Sequence, residues 1–580
     1  MHIISKTLKY TVVIFAVVVS LIDPQLRAQG IVPGSFEILT MFGIDEGTGQ
    51  DVSGRTILVS EKHQCIVVVG STYGQSIPVT KNAVQSEPGG RSDGYIAIFD
   101  LDGKVLLYCS YIGAERNDVC SDAALLGEDC VVLVGGTESL GFPVTGDATQ
   151  KTRSGSDDGW YMVFNLAELQ VEYATYFGGN RNDHATRVIV DSDRRIVIAG
   201  ISNSANLRTS ADAWMPFRDG TTENCFIAVI DENVIFRATY LGEVGDYLSG
   251  IEDLLETPDS YLVIARTCAP GYPVTPNAWQ KEYAGSQDAL IIDIDKELGQ
   301  LQYATYLGGA AADVIYKGTL VGDWVVLHAA STSSNDFPFG EIMLETPGIF
   351  FLGLYNPVGK KIEYVTGWHT LGIAGGLIVQ DKLYLEFRTT TNTAFGQDLT
   401  VSDSVIDLHK AGMIEYDPIE NRFHNAVLMI DYPNYCSLGH FQEYRGYVYL
   451  LGGLRDQPKM ISPSAWQQGL IGGMDLFIGR FRVDSVPSRT SVQSPPTLPG
   501  DMYPQPVRAG GLLNIRGGAA VPNRIRIFDT FGRCIFTAGE SFTFEGDVIR
   551  LLVPNVRPGM YLLEITQAES RQIRKILVTE

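Results

Sequence analysis

Asp118, Asp183, Asp246 and Asp313 recur about every 65 residues, each just after a glycine that ends an aromatic stretch. A carboxylate repeated in this way has two uses. It can hold a calcium ion in every repeat, or it can accept from the backbone N–H groups of the turn that carries it. Calcium takes roughly six to eight oxygen ligands, and single aspartates without neighbouring oxygens supply too few, so the turn role is expected. Asp100-Leu101-Asp102-Gly103 opens like a calcium loop but lacks the rest of that loop's pattern, which leaves a hairpin turn.

His184 beside Asp183, and His369 beside Trp368, suggest an acid–base or stacking site; as single instances they are read as surface or packed residues. Trp214, Trp279 and Trp466 would make sugar platforms, yet each directly follows an alanine fixed in the repeat and is read as core. No G-x-S-x-G nucleophile elbow is expected; there is no H-E-x-x-H helix, no G-x-x-x-x-G-K-[ST] loop and no full sialidase-type aspartate box, and the eight histidines are scattered. No catalytic, cofactor-binding or metal-ligating residue is assigned, and no cofactor is expected.

The elements that carry these residues form a repeat with four signals. The first is Tyr303-Ala304-Thr305-Tyr306-Leu307-Gly308-Gly309, echoed at 173–179, 236–242 and 107–113. The second is an apolar run ending in a small residue, as in Ile66-Val67-Val68-Val69-Gly70, with looser copies at Trp324 to Ala330, Tyr384 to Arg388 and Tyr447 to Gly452. The third is a hydroxyl residue (Thr80, Thr145, Ser210, Thr275, Ser462) standing three before an alanine (Ala83, Ala148, Ala213, Ala278, Ala465), which predicts a capped single helical turn lying tight against a strand. The fourth is a strand ending in an acidic or amide turn residue, as in Phe226 to Asp231.

The second and fourth signals each occur seven times. Their strands are apolar at successive positions, so both faces should be buried. Seven units of about four strands predict an all-β protein, a seven-bladed β-propeller over residues 29–486. Met41-Phe42-Gly43 resembles the end of the first signal, and the last repeat lacks one, so the N-terminal strand is expected to complete the final unit. Repeats five and six, roughly 307 to 428, are the most degraded. The first glycine of the signature, and it alone, is expected to need positive φ or a close backbone approach.

Residues 1–28 read as a secretory signal peptide: Lys6 and Lys9, an apolar run from Tyr10 to Ile22, then Leu26-Arg27-Ala28. No later run is long enough to span a membrane. The net charge of -23 argues against a nucleic-acid partner. Eight cysteines without a C-x-x-C are read as buried small side chains or bridges, with no connectivity implied. Pro, Ser and Thr dominate a linker at 487–502. Residues 503–580 hold ten Lys/Arg against seven Asp/Glu and alternate as half-buried strands do, which predicts a small C-terminal β-sandwich.

The Tyr-Ala-Thr-Tyr-Leu-Gly-Gly stretch with its aspartate, the Val-x-Val-x-Gly-x-Thr strand and the Phe-Pro-Val-Thr turn (142–145; 272–275 with Tyr) resemble the SBBP family of bacterial β-propeller repeats, over about 36–483. The resemblance implies the fold and a secreted or surface setting, and no particular chemistry. The tail resembles the type A sorting domain of the type IX secretion system through Tyr503-Pro504-Gln505-Pro506-Val507, Ile527 to Arg533, Pro558-Gly559-Met560-Tyr561-Leu562 and Lys575-Ile576-Leu577-Val578. Gln505 stands where that motif usually has Asn. This implies recognition of 503–580 by the secretion machinery and passage to the outer surface of a Bacteroidota-type bacterium, via the periplasm.

The expected function is a non-enzymatic secreted or surface-attached propeller that binds protein or glycan. The alternatives are a glycan-directed hydrolase or lyase with carboxylates gathered at the propeller axis, and a structural surface-layer component.

Overall fold

Ile66 to Val69, Val131 to Val134 and Val263 to Ala265 are apolar runs of mostly β-branched residues, and each is almost wholly buried in the second strand of a sheet. In the computed structural model, which describes residues 36–42, most of 52–482 and most of 502–579, the chain divides into two units, Met1–Ser488 and Arg489–Glu580. The expected signal peptide at 1–28, almost all of the linker at 487–502, Asp246, His369 and the third-signal residues Ser462, Ala465 and Trp466 lie outside the described residues.

The first unit is all-β. Seven four-stranded antiparallel sheets are present among its described residues. Sheet I comprises Val52–Ser60, Cys65–Tyr73, Ser92–Asp100 and Leu106–Ile112. Sheets II, III, IV and V repeat that order, spanning 118–177, 183–240, 248–307 and 313–368. Sheet VI spans 372–432 and carries a small extra hairpin, Ala394–Phe395 with Leu399–Thr400. Sheet VII takes Cys436–Tyr444, Tyr447–Leu454 and Asp475–Arg482 from the end of the unit, and its fourth strand, Phe36–Phe42, from the beginning. The degraded repeats therefore keep the same four-strand plan.

Successive sheets are neighbours through their first strands, and sheet VII lies against sheet I, so the circuit of neighbours closes. Each interface is an apolar layer. Cys65, Val67 and Val69 of sheet I pack with Val131, Leu133 and Phe164 of sheet II, and Leu39, Phe42 and Ile478 pack with Ile57, Val59 and Tyr95 across the closing seam. Polar contacts reinforce that seam: Gln64 donates to the Tyr444 hydroxyl at 2.7 Å and Arg480 pairs with Asp102 at 3.0 Å. The layers place almost fully buried strands between two others, which explains the successive apolar positions.

The third signal forms a turn and no helix. Ala83, Ala148, Ala213 and Ala278 each donate to the carbonyl three residues back, at 3.0–3.2 Å. The hydroxyls do not cap N–H groups of that turn. Thr80, Thr145 and Thr275 instead exchange hydrogen bonds with the backbone of Cys109, Ala174 and Ala304 in the fourth strand. Bonding to a strand backbone satisfies the hydroxyl outright, so no helix is needed to use it.

The second unit contains a four-stranded sheet built on Leu512–Arg516 and Val548–Leu552 and a five-stranded sheet built on Arg524–Phe528 and Gly559–Gln567. Alternate residues of both, Leu513, Ile515, Ile549 and Leu551 with Ile525, Ile527, Leu563 and Ile565, share one core.

Candidate functional site

The repeat aspartates sit where the fourth strand of one sheet leads into the first strand of the next. Asp118 accepts from the Ala114 N–H at 2.7 Å, from Ser139 at 2.9 Å and from Thr137. Asp183 accepts from the Gly179 N–H at 2.7 Å, from Ser202 at 2.5 Å and from Ser204 at 2.8 Å. Asp313 accepts from the Gly309 N–H at 2.7 Å. All three are buried. Each carboxylate thus holds its own turn, as expected of a turn residue, and Asp118 and Asp183 also fasten it to the following hairpin.

A second carboxylate that the sequence reading missed faces each of them. Asp93 accepts from Gly89 and Gly90, Asp158 from Ser154 and Gly155, and Asp288 from Ala284. The signal was present as a Gly or Ala four residues ahead, or a Ser in that place, in Gly89-Gly90-Arg91-Ser92-Asp93, Ser154 to Asp158 and Ala284 to Asp288. Between the two carboxylates lies the first glycine of the signature. A Cβ on Gly308 would stand 2.6 Å from Asp288 Oδ1 and 2.9 Å from Asp313 Oδ2, and one on Gly178 2.8 Å from Asp158 Cγ and 3.0 Å from Asp183 Oδ2. Neither glycine has positive φ, so close approach is the reason for it. The constraint is not confined to the first glycine, because a Cβ on Gly179 would meet Ser204 at 2.5 Å.

Pairing carboxylates in a dry place raises their proton affinity. Burial, with Asp118 adding to it, pushes Asp93 up to about 6; burial, with Asp158 adding to it, does the same for Asp183. Asp157 rises to about 7 through burial and then the charges of Glu138, Asp158 and Asp183.

A third partner completes the arrangement. Gln85, Gln150 and Gln280, two after the fixed alanine, accept through their side-chain oxygens from the N–H of Gly113, Gly178 and Gly308 at 2.9–3.1 Å. Gln150 also donates to Asp158 at 2.8 Å. The Tyr-x-Thr-Tyr residues are spent likewise: Tyr303 accepts from Trp279 N–H at 3.2 Å, Thr305 from Gln280 N–H at 2.9 Å and Tyr306 from Tyr272 N–H at 2.8 Å. The signature is a fastening for the connecting loop.

Gly90-Arg91-Ser92-Asp93-Gly94 has the spacing of a nucleophile elbow, another pattern the sequence reading passed over. Ser92 is buried, donates to the Asp118 carbonyl at 3.4 Å and enters a strand, where an elbow needs a strand-to-helix turn with an exposed serine. Asp100 takes the N–H groups of Lys104 and Val105 at 2.7 and 2.8 Å, so Asp100 to Gly103 is a hairpin turn. His184 bonds Ser121 at 2.9 Å across sheets II and III and is held down to about 4 by burial. Among the described residues, Cys65, Cys109, Cys120, Cys130, Cys225 and Cys268 are unbridged, and no group of three His, Cys, Asp or Glu is placed to hold a metal ion.

Chemistry at the centre of the circuit would have to come from the first strands. The pairing of every first strand shifts register at one equivalent place, beside Arg55, Ser121, Thr186, Glu252, Tyr316, Ala374 and His440. There the sheets are stitched at one-repeat intervals. Thr56 donates to Asp122 at 2.6 Å, Val188 N–H to Asp122 at 3.1 Å, Arg187 to the Glu252 carbonyl at 2.7 Å and Gly318 N–H to Asp253 at 2.9 Å. Glu252 pairs with Arg266 at 2.5 Å. Solvent reaches His440, yet it lies deep: loss of bulk water, then the charges of Lys317, Arg187 and Arg55, hold its imidazole down to about 3. Cations of sheets I, III and V all act on this ring of sheet VII, so it faces the interior of the circuit. Of the carboxylates there, Asp122 and Asp253 are engaged with neighbouring sheets and Glu252 within its own.

Residues 501–579 match the secretion system C-terminal sorting domain. No curated protein matches the chain. Solved structures similar to it include the Cps50 (Swd1) beta-propeller domain of Myceliophteria_thermophila, at 9% identity over 74% of this chain and 98% of that one, TM-score 0.38. BamB from Moraxella catarrhalis is similar at 10% identity over 74% and 99%, TM-score 0.32, and the RRP9 WD40 repeats at 9% over 78% and 98%, TM-score 0.38. None of these likenesses bears on what the chain binds or does. In the sorting domain, Tyr561 is buried in the shared core and Lys575-Ile576-Leu577-Val578 form part of the last strand. No helix among the described residues is long and apolar enough to cross a membrane.

Proposed function

We propose that this chain is an exported, non-enzymatic seven-bladed β-propeller that presents loops to a protein or glycan. Residues 1–28 are a signal peptide, 29–486 a propeller of SBBP-type repeats, 487–502 a linker and 503–580 a β-sandwich read by the type IX secretion machinery. The product reaches the medium or the outer cell surface of a Bacteroidota-type bacterium. The sorting-domain match over 501–579 carries this reading. It is supported by the closed circuit of like sheets and by the repeat-borne carboxylates, which hold turns and neighbouring sheets. Specificity then belongs to the loops in which the repeats differ.

The test is export. In a secretion-competent host, deletion of 501–579 is expected to leave the protein in the periplasm, while the full-length gene yields protein outside the cell lacking the tail. Equal export with and without 501–579 would sink the assignment.

A further inference from the structure

The residue after the fixed alanine occupies one backbone position in several sheets. Its N–H meets the first signature tyrosine in three of them: Val84 to Tyr108 at 3.2 Å, Thr149 to Tyr173 at 3.0 Å and Trp279 to Tyr303 at 3.2 Å. What differs is the side chain that enters the wedge toward the next sheet. Trp214 of sheet III lies against Tyr272 of sheet IV, ring centroids 6.4 Å apart, and joins the core of that interface. Trp279 of sheet IV joins the core shared with sheet V, and its indole N–H donates to the Pro338 carbonyl at 3.2 Å. In sheet I the position holds Val84, 54% exposed.

Between sheets I and II the wedge has not collapsed onto this smaller side chain. It remains as a cavity of about 230 Å³ lined by Val84, Tyr108, Pro143, Met162, Phe164 and Val171. Tyr108 and Phe164 are fixed there with centroids 5.1 Å apart. Pro143 follows Phe142 as Pro338 follows Phe337, so the carbonyl that meets an indole N–H beyond sheet IV has its counterpart here. A cavity of this size falls below the roughly 300–1,000 Å³ of pockets for drug-sized ligands, and its walls are mainly aromatic and aliphatic, with Gln85 and Ser110 adding polar atoms. That suits one planar ring system carrying a single donor, the description of a tryptophan side chain.

We propose that the wedge between sheets I and II is a binding site for an indole side chain presented by a partner polypeptide, in the place that Trp214 and Trp279 fill from within in sheets III and IV. The inference goes beyond export and architecture and holds whichever loops bind another ligand.

Titration of the full mature chain with N-acetyltryptophanamide tests it. The expected result is saturable binding, at least about tenfold tighter than for N-acetylleucinamide, abolished in Val84→Trp, whose own indole fills the cavity and raises the melting temperature. Absence of saturable binding in the wild type, or undiminished binding in a folded Val84→Trp protein, overturns it. Should Val84→Trp not fold, a photoreactive indole probe on the wild type decides: labelling confined to peptides bearing Val84, Pro143 or Phe164 supports the site, and any other labelling pattern refutes it.

Discussion

At the scale of residues, the close placing of two carboxylates around one glycine predicts a large penalty for a single methyl group. Gly308→Ala would put a Cβ 2.6 Å from Asp288 Oδ1, and neither that aspartate nor Asp313 can retreat without releasing a turn. The expected cost is about 2–3 kcal/mol in chemical denaturation. Gly146→Ala, with nothing within 4 Å of the added atom, should change stability by about 0.5 kcal/mol or less. Equal effects would mean that the glycine does not separate the pair.

Asp157 gives a pH signature. Its folded-state pKa, raised to about 7, exceeds the unfolded carboxylate value, so its contribution is fully present below about pH 4 and is lost as pH rises through 7. Asp157→Asn removes that loss. Its stability relative to the wild type should therefore increase between pH 5 and pH 8, by on the order of 1 kcal/mol once partial exposure is allowed for. Parallel stability profiles would contradict the assignment.

At the scale of elements, the strands were legible and the fastenings between them were not. Successive apolar residues such as Phe226 to Ile230 announced buried strands because sheets pack on both sides of them. Met41-Phe42 announced the strand that pairs with Asp475–Arg482 because it carries the end of a signature the last repeat lacks. The third signal does form a single turn, but its hydroxyl was misread as a cap: a hydroxyl three residues before an alanine has the same spacing whether it caps a helical turn or bonds a strand 29 residues away. The partners Asp93, Asp158, Asp288 and Gln85, Gln150, Gln280 were overlooked, since their role depends on a tertiary meeting with the first glycine. In the second unit the alternating runs revealed the main strands, while Cys534–Ala538 and Phe542–Glu545 were too short and mixed to stand out.

At the scale of the first unit, a circuit of sheets that closes by pairing the first strand with the last repeat makes each interface depend on the next, and it completes the apolar layer between sheets VII and I. The sorting-domain match over 501–579 puts the export signal in the second unit, apart from that circuit. The site chemistry remained illegible in sequence for the same reason: residues that recur with the repeat build the scaffold, and residues that vary, such as Val84 against Trp214 and Trp279, distinguish one wedge from another. The most direct measurement is an electron cryo-microscopy map of the mature exported protein. The account predicts seven four-stranded sectors around one axis, with Phe36–Phe42 as the fourth strand of the last. A map with another number of sectors, or with that strand outside the ring, would contradict it.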